Sequence, residues 1–94
     1  MIPLPARIGK YELQEFLGGG MSHVYRAQDT VLGRQVAVKI LTPQGVADQE
    51  AKQRFLQEAR VASNINHQNI INVYDFGEEQ GKPFMVMEFL VGES

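Results

Sequence analysis

The chain has 94 residues, a formal net charge of −2 and no cysteine. This length allows one domain with a modest core, and the weak negative charge argues against nucleic acid or an anionic membrane surface as a partner. Without cysteine the chain has neither a disulfide framework nor a thiolate metal site, and its apolar runs are too short for a transmembrane helix.

The first half of the chain predicts three β-strands joined as an antiparallel meander. Residues 1–9 contain two prolines and no long apolar run, so we expect an extended lead-in rather than a signal peptide. Strands are predicted at residues 11–17, 23–28 and 34–41. A glycine cluster joins the first two strands, and a turn at residues 29–33 joins the next two, with a glycine at its end that can adopt a positive φ.

One helix is predicted after this meander. Residues 42–45 break the strand pattern, and Asp48 is a suitable N-cap for a helix that ends near Asn64. Its apolar residues recur at the spacing of one helix face, so a buried stripe is predicted at Phe55, Ala59 and Ala62. Glu58 lies at the border of this stripe, where its carboxylate would point at the edge of the sheet.

Two further strands complete the predicted fold. They lie at residues 70–76 and 83–90, on either side of a turn at residues 77–81. The last strand is almost continuously apolar, which predicts burial on both of its faces. The predicted class is therefore α+β, with a five-stranded antiparallel sheet packed against one helix.

The strand at residues 34–41 is the most informative stretch of the chain. Its period of two places three β-branched residues (Val36, Val38 and Ile40) on one face and Ala37, Lys39 and Leu41 on the other. A small alanine beside a lysine suits a pocket, because the alanine leaves space for a flat group and the lysine can reach an anion. A plain edge strand with a solubilising lysine is the alternative.

Three features stand in a fixed order: the glycine hairpin, Lys39 in the next strand, and Glu58 in the helix. A glycine hairpin lets backbone N–H groups approach phosphate oxygens without a Cβ in the way. Lys39 would add a positive charge, and the carboxylate of Glu58 could hold that charge in place. Each feature alone is typical of an ordinary turn or a solvated side chain; their combination favours a phosphate-binding site.

Five segments resemble the eukaryotic-type protein kinases, in the order in which that family has them. Residues 36–39 (Val-Ala-Val-Lys) are similar to the family's Val-Ala-Ile-Lys strand. The other segments are residues 19–25, 55–59, 67–71 and 86–90 (Gly-Gly-Met-Ser-His-Val-Tyr, Phe-Leu-Gln-Glu-Ala, His-Gln-Asn-Ile-Ile and Val-Met-Glu-Phe-Leu). The Gly-Gly-Met-Ser motif is most similar to that of the bacterial members of this family. Residues 1–94 therefore resemble the N-terminal lobe of a bacterial Hanks-type Ser/Thr kinase, with residues 91–94 as the start of the linker to the C-terminal lobe.

This resemblance implies ATP and Mg²⁺ as cofactors and a protein as substrate. Lys39 would contact the α- and β-phosphates and Glu58 would be its ion-pair partner, on the helix that the family calls αC. The resemblance also implies the residues of the nucleotide site. The glycine turn would be Gly18, Gly19, Gly20, Met21 and Ser22, and the adenine pocket would be Leu17, Val24, Ala37 and Ile71. Met87 would be the gatekeeper, and Glu88 and Leu90 would be the hinge residues.

Two departures from the family pattern stand out. The glycine loop is one residue shorter than that of the family, and Ser22 occupies its third glycine position. Asp75-Phe76-Gly77 has the letters of the family's metal-binding motif, but it precedes the hinge, so we interpret it as the end of a strand. The metal ligands are expected only in the C-terminal lobe, and the chain by itself is expected to be catalytically incomplete.

Two other functions compete with this interpretation. A non-catalytic dimerisation or scaffold lobe of a pseudokinase is the alternative, and a homodimer through an exposed surface of the lobe would suit it. A dinucleotide-binding βαβ unit is excluded because the glycine run leads into a strand and not into a helix. The resemblance predicts a cytoplasmic domain, with any membrane anchor of the parent protein outside this chain.

Overall fold

The computed structural model describes residues 3–64 and 73–89, and for residues 59–64 only the backbone. In these ranges six strands form one antiparallel sheet in the order β1-β2-β3-β4-β6-β5, accompanied by two helices. The elements are β1 (Ala6–Ile8), β2 (Tyr11–Gly18), β3 (Ser22–Asp29), β4 (Arg34–Leu41), α1 (Pro43–Ala47), α2 (Gln49–Asn64), β5 (Val73–Glu79) and β6 (Lys82–Glu88). The predicted α+β class is confirmed.

The predicted meander of β2, β3 and β4 is present, and β4 has the predicted bounds. The turn between β3 and β4 is held by its first residue, Asp29, whose Oδ1 accepts hydrogen bonds from the Val31 and Leu32 amides at 2.9 and 3.0 Å. The Leu32 bond is the main reason that the pKa of Asp29 is lowered. Gly33 closes the turn with a φ of 69°.

The prediction of five strands was wrong, because residues 6–8 form β1 where a lead-in was expected. β1 pairs antiparallel with β2, with Ala6 opposite Leu13. A three-residue strand is too short to show a period of two, and only the free edge of β2 makes it a strand. Gly9 adopts a φ of 57° in the tight turn between the two.

A second helix was also missed. The break at residues 42–45 is the start of α1, in which Pro43 occupies the first turn and Thr42 is the N-cap. The Thr42 hydroxyl accepts a hydrogen bond from the Gly45 amide at 3.0 Å. Both residue types are favoured at these helix positions, so the features that interrupt the strand also begin this short helix.

The hairpin of β5 and β6 has a shorter turn than predicted. β5 continues to Glu79, and only Gln80 and Gly81 turn the chain, with φ angles of 53° and 80°. Positive φ at both central residues matches the twist of a hairpin. The predicted start of this strand at residues 70–72 lies outside the described residues.

The two faces of β4 pack into different cores, as its alternation predicts. Val36, Val38 and Ile40 belong to one cluster, together with Leu13, Tyr25 and Val86. Leu41 belongs to the other, between the sheet and α2, together with Phe55 and Met85. Adjacent residues Met85 and Val86 are thus buried on opposite faces of β6, as its apolar run predicts.

A hydrogen bond links two strands that are not neighbours in the sheet. The Tyr11 hydroxyl, at the start of β2, donates to Asp75 Oδ2 in β5 at 2.9 Å. Since these strands lie near opposite ends of the strand order, the sheet must curl to bring them together. Burial and this bond raise the pKa of Tyr11 to about 12, because a tyrosinate there would be poorly hydrated and would face a carboxylate.

The raised pKa of Tyr11 predicts a loss of stability at high pH. The folded chain retains a proton that the unfolded chain releases from pH 10, so the contribution of Tyr11 is complete below pH 10 and lost toward pH 12. Urea unfolding of the wild type and Tyr11→Phe should show a difference of about 1 kcal/mol at pH 8 that shrinks as the pH rises. A difference that stays constant with pH would contradict this account.

Candidate functional site

Lys39 and Glu58 form an ion pair between the sheet and α2. The distance from Lys39 Nζ to Glu58 Oε1 is 3.1 Å, and the two side chains are 25% and 53% exposed. An ion pair this accessible contributes only about 0–1 kcal/mol to stability. Its importance therefore lies in where it holds the ammonium group.

α2 is positioned by the residues that begin it and by the residues that it buries. Asp48 caps the helix as predicted, since its Oδ1 accepts a hydrogen bond from the Ala51 amide at 3.2 Å. Ala51 and Phe55 are buried four residues apart, on the face toward the sheet. Glu58 follows at the border of this face, which brings its carboxylate to Lys39. The rest of the predicted stripe, Ala59 and Ala62, lies where side chains are not described.

The glycine turn is the second component of the site. Gly18 and Gly19 adopt φ angles of 129° and 139°, in a region that side chains rarely allow. A Cβ on Gly19 would also collide with the carbonyl oxygen of Ser22. Glycine here lets the backbone fold back on itself, with the Ser22 carbonyl where a side chain would otherwise lie.

The turn is anchored to the end of β4. The Met21 carbonyl accepts hydrogen bonds from the Thr42 amide at 2.9 Å and from the Thr42 hydroxyl at 2.8 Å. Gly45 makes room for this carbonyl, since a Cβ at that position would collide with it. The tip of the glycine turn is therefore held above the same end of the sheet as Lys39.

Gly19→Ala is expected to lower the free energy of unfolding by about 1–3 kcal/mol, because the strained φ and the collision with Ser22 act together. Gly20→Ala is the matched control, because Gly20 does not have a positive φ and an added Cβ there would have no atom within 4 Å. Its effect should be within about 0.5 kcal/mol. Urea unfolding of both variants checks this, and equal losses would contradict it.

A cleft of about 240 Å³ separates the glycine turn from α2. Both members of the ion pair line it. The complete lining is Met21, Ser22, Lys39, Leu41, Ala51, Arg54, Phe55 and Glu58. Arg54 was missed by the sequence reasoning, although its position four residues before Glu58 places the two on one helix face.

Comparison with known proteins decides the family. Residues 11–94 match the family model described as protein kinase domain. The chain belongs to the protein kinase family.

Relatives and solved structures of this family agree over most of the chain. It is 44% identical over 85 residues to serine/threonine-protein kinase PrkC of Bacillus subtilis, covering 89% of this chain and 13% of that protein. It is 43% identical over 91 residues to PknA of Mycobacterium tuberculosis, covering 90% and 21%. The kinase domain of M. tuberculosis PknI superposes with a TM-score of 0.74 at 30% identity, covering 96% of this chain and 37% of that one. For the apo form of PpkA-294 the TM-score is 0.78 at 28% identity, covering 95% and 38%.

The kinase-family chain therefore spans only a small part of these relatives. The part of each relative that this chain matches is an N-terminal portion of the kinase domain, as the resemblance implied. In the ranges that the structure describes, no helix is long and apolar enough to cross a membrane.

Several predicted nucleotide-binding residues share one face of the sheet. Val24 lies opposite Lys39 across β3 and β4, and Ala37 lies opposite Met87 across β4 and β6. Side chains directly opposite each other in an antiparallel pair point to the same face. Leu17 is 45% exposed next to Gly18. Glu88 pairs with Val36 at the end of β6, while Ile71 and Leu90 lie outside the described residues.

Asp75-Phe76-Gly77 lies within β5, where its carboxylate is already engaged. Asp75 Oδ2 accepts the Tyr11 hydroxyl, and Oδ1 accepts the Phe76 amide at 2.8 Å. A Cβ on Gly77 would come within 3.0 Å of the Phe84 ring, so packing accounts for the glycine. Over residues 3–64 and 73–89, no group of three His, Cys, Asp or Glu side chains is placed to hold a metal ion.

An adenine nucleotide fits the groups that this face presents. Met21 and Ser22 of the glycine turn line the cleft, and Lys39 offers a cation in the same cleft. Ala37 lies on the same face of β4 as Lys39, and its side chain is small enough to pack against a flat group. Members of the protein kinase family generally use ATP with Mg²⁺, which matches these features.

Proposed function

We propose that this chain binds ATP in the cleft under the glycine turn, and that the protein to which it contributes transfers the γ-phosphate to serine or threonine hydroxyls of other proteins. The observation that carries the proposal is the ion pair between Lys39 Nζ and Glu58 Oε1, 3.1 Å apart, in a cleft that the glycine turn lines on one side. An ion pair in that position orients a cation at the place where phosphates would lie.

The residues of this chain would act by positioning and by charge. ATP supplies the phosphoryl group, and phosphoryl transfer depends mainly on holding it in line and neutralising its charge. Lys39 would donate hydrogen bonds to the α- and β-phosphates, while Glu58 holds the ammonium group in place. Backbone amides of the glycine turn, from Gly18 to Ser22, would contribute further donors.

The adenine would lie on the same face of the sheet as Lys39, on the side of Ala37. Leu17, Val24 and Ala37 would enclose the adenine, and Met87 would act as the gatekeeper behind it. At the hinge, the Glu88 carbonyl and the Leu90 amide would bind the adenine edge. The roles of Ile71 and Leu90 rest on the family resemblance alone.

Titration of the chain with ATP tests this proposal. We expect saturable binding with one site per chain in calorimetry, and competition by ADP. The absence of saturable binding would overturn it. No phosphorylation of a protein substrate is expected from the 94 residues alone, since the catalytic base and metal ligands of the family lie beyond the hinge.

A non-catalytic dimerisation lobe is the second candidate. Val31 and Leu32, at the turn between β3 and β4, are 70% and 62% exposed and would suit an apolar contact with a second copy. Sedimentation of the wild type decides whether such a homodimer forms, and ATP titration separates this role from nucleotide binding. In either case the proposed place of action is the cytoplasm, where ATP is available.

A further inference from the structure

The hydroxyl of Tyr25 in β3 is a buried polar group without a hydrogen-bond partner. Tyr25 is 0% exposed and belongs to the core cluster that contains Val36, Val38 and Ile40. Within the part of the chain that the structure describes, no group forms a hydrogen bond with its Oη. Leaving such a group unpaired is costly, because folding removes the water that would otherwise bind it. A phenylalanine would fill the same space without this cost, so the hydroxyl points to a role beyond packing.

A cavity of about 250 Å³ lies beside Tyr25, where β3 begins, β4 ends and β6 begins. Its complete lining is Pro3, His23, Tyr25, Ile40, Leu41, Thr42, Pro43 and Lys82. His23 lies two residues before Tyr25 and opposite Ile40, so these three side chains point to the face opposite Lys39. Leu41, at the end of β4, is the described residue that this cavity shares with the cleft at Lys39. The cavity is therefore distinct from the proposed nucleotide site.

The groups around this cavity favour an anion with a small apolar body. Lys82 supplies an ammonium group that forms no ion pair in the described part of the chain, where no aspartate or glutamate lines the cavity either. The Thr42 hydroxyl is already engaged in hydrogen bonds. Apolar surface comes from Ile40, Leu41 and two prolines. The donors that remain for a ligand include the Tyr25 hydroxyl and the Lys82 ammonium group.

We propose that this cavity binds a small organic carboxylate, to which Tyr25 and Lys82 donate hydrogen bonds. A carboxylate oxygen accepts the proton of the Tyr25 hydroxyl, and the ammonium group of Lys82 balances the charge. The apolar body of the ligand packs against Ile40 and Pro43. Pockets for drug-sized ligands have volumes of about 300–1,000 Å³, so this smaller cavity suits a molecule with a single ring. The inference does not depend on the proposed ATP binding, because it uses other donors on the opposite face of β4.

Benzoate is the probe for this site, and benzamide is its neutral counterpart of nearly the same shape. Each is titrated into the 94-residue chain while the ¹H–¹⁵N spectrum is recorded. We expect saturable binding of benzoate at one site per chain, with a dissociation constant in the millimolar range and the largest shifts at the amides of His23, Thr42 and Lys82. Benzamide should bind at least about fivefold more weakly, because it carries no charge for Lys82 to attract. Saturating ATP should leave the affinity for benzoate unchanged.

Three variants identify the donors. Tyr25→Phe removes only the hydroxyl, and we expect the affinity for benzoate to fall about tenfold. Its melting temperature without benzoate should be no lower than that of the wild type, because the hydroxyl has no partner to lose. Lys82→Gln should weaken benzoate binding about threefold and leave benzamide binding unchanged. The control Lys52→Gln removes the same charge from α2, away from the cavity, and should bind benzoate like the wild type.

Three results would overturn the inference. Benzoate that causes no saturable shifts in the wild type would show that the cavity admits water only. Equal affinities for benzoate and benzamide, or full benzoate affinity in Tyr25→Phe, would remove the two donors from the site. Displacement of benzoate by ATP, together with loss of benzoate binding in Lys39→Ala, would place the probe in the nucleotide cleft. The proposed function is tested separately, by the ATP titration.

Discussion

Replacing Lys39 with alanine is expected to lower the affinity of the chain for ATP by about 10- to 100-fold. The change removes a charged donor at the phosphates, and a hydrogen bond to a charged group contributes about 1.5–3 kcal/mol. Stability should change by less than about 1 kcal/mol, because the ion pair with Glu58 is accessible to solvent. Calorimetric titration gives the affinity, and urea unfolding verifies that the variant is folded.

Two further variants make the Lys39 result specific. Lys52→Ala removes the same side-chain type from α2 at a position away from the cleft, and it should bind ATP like the wild type. Glu58→Gln keeps the size of its side chain but leaves Lys39 without its anionic partner, so we expect a smaller loss of affinity than in Lys39→Ala. Unchanged ATP binding in Lys39→Ala would contradict the assignment of the phosphate site.

Replacing Leu13 with alanine is expected to lower the free energy of unfolding by about 2–5 kcal/mol, a large share of the stability of a small domain. Leu13 is 0% exposed and lies in the core cluster with Tyr25, Val36 and Val38, where its removal would leave a cavity. Urea unfolding at neutral pH provides the measurement, with the dependence on urea checked for two-state behaviour.

Leu32→Ala is the matched control for this core substitution. The chemical change is identical, but Leu32 is 62% exposed in a turn and buries little surface. Its effect on the free energy of unfolding should be within about 0.5 kcal/mol. Similar losses in the two variants would mean that the cluster around Leu13 is not the main core of the domain.

Local patterns predicted the long strands and the long helix well. β4 has its predicted bounds because its alternation of residues extends over eight positions. β1 and α1, with three and five residues, are too short to carry such a pattern. They form because of the residues around them. β1 pairs with the free edge of β2, and α1 begins at its N-cap Thr42 and at Pro43.

The sequence by itself determined the residue types, their order and the faces on which they lie. The placement of Ala37 and Lys39 on one face and of Glu58 at the border of the helix stripe follows from spacing along a strand and a helix. These features depend on residues close together in the chain, and so they can be derived from local geometry. The choice of Glu58 as the partner of Lys39 is what the family resemblance implied.

Only the tertiary structure decided which distant groups meet. The packing of Phe55 between α2 and the sheet brings Glu58 to 3.1 Å from Lys39, and the curl of the sheet brings Tyr11 to 2.9 Å from Asp75. The presence of Arg54 in the lining of the cleft beneath the glycine turn likewise depends on how α2 packs. The physical reason is that such contacts depend on how elements pack and twist, which the local periodicity of a sequence does not specify.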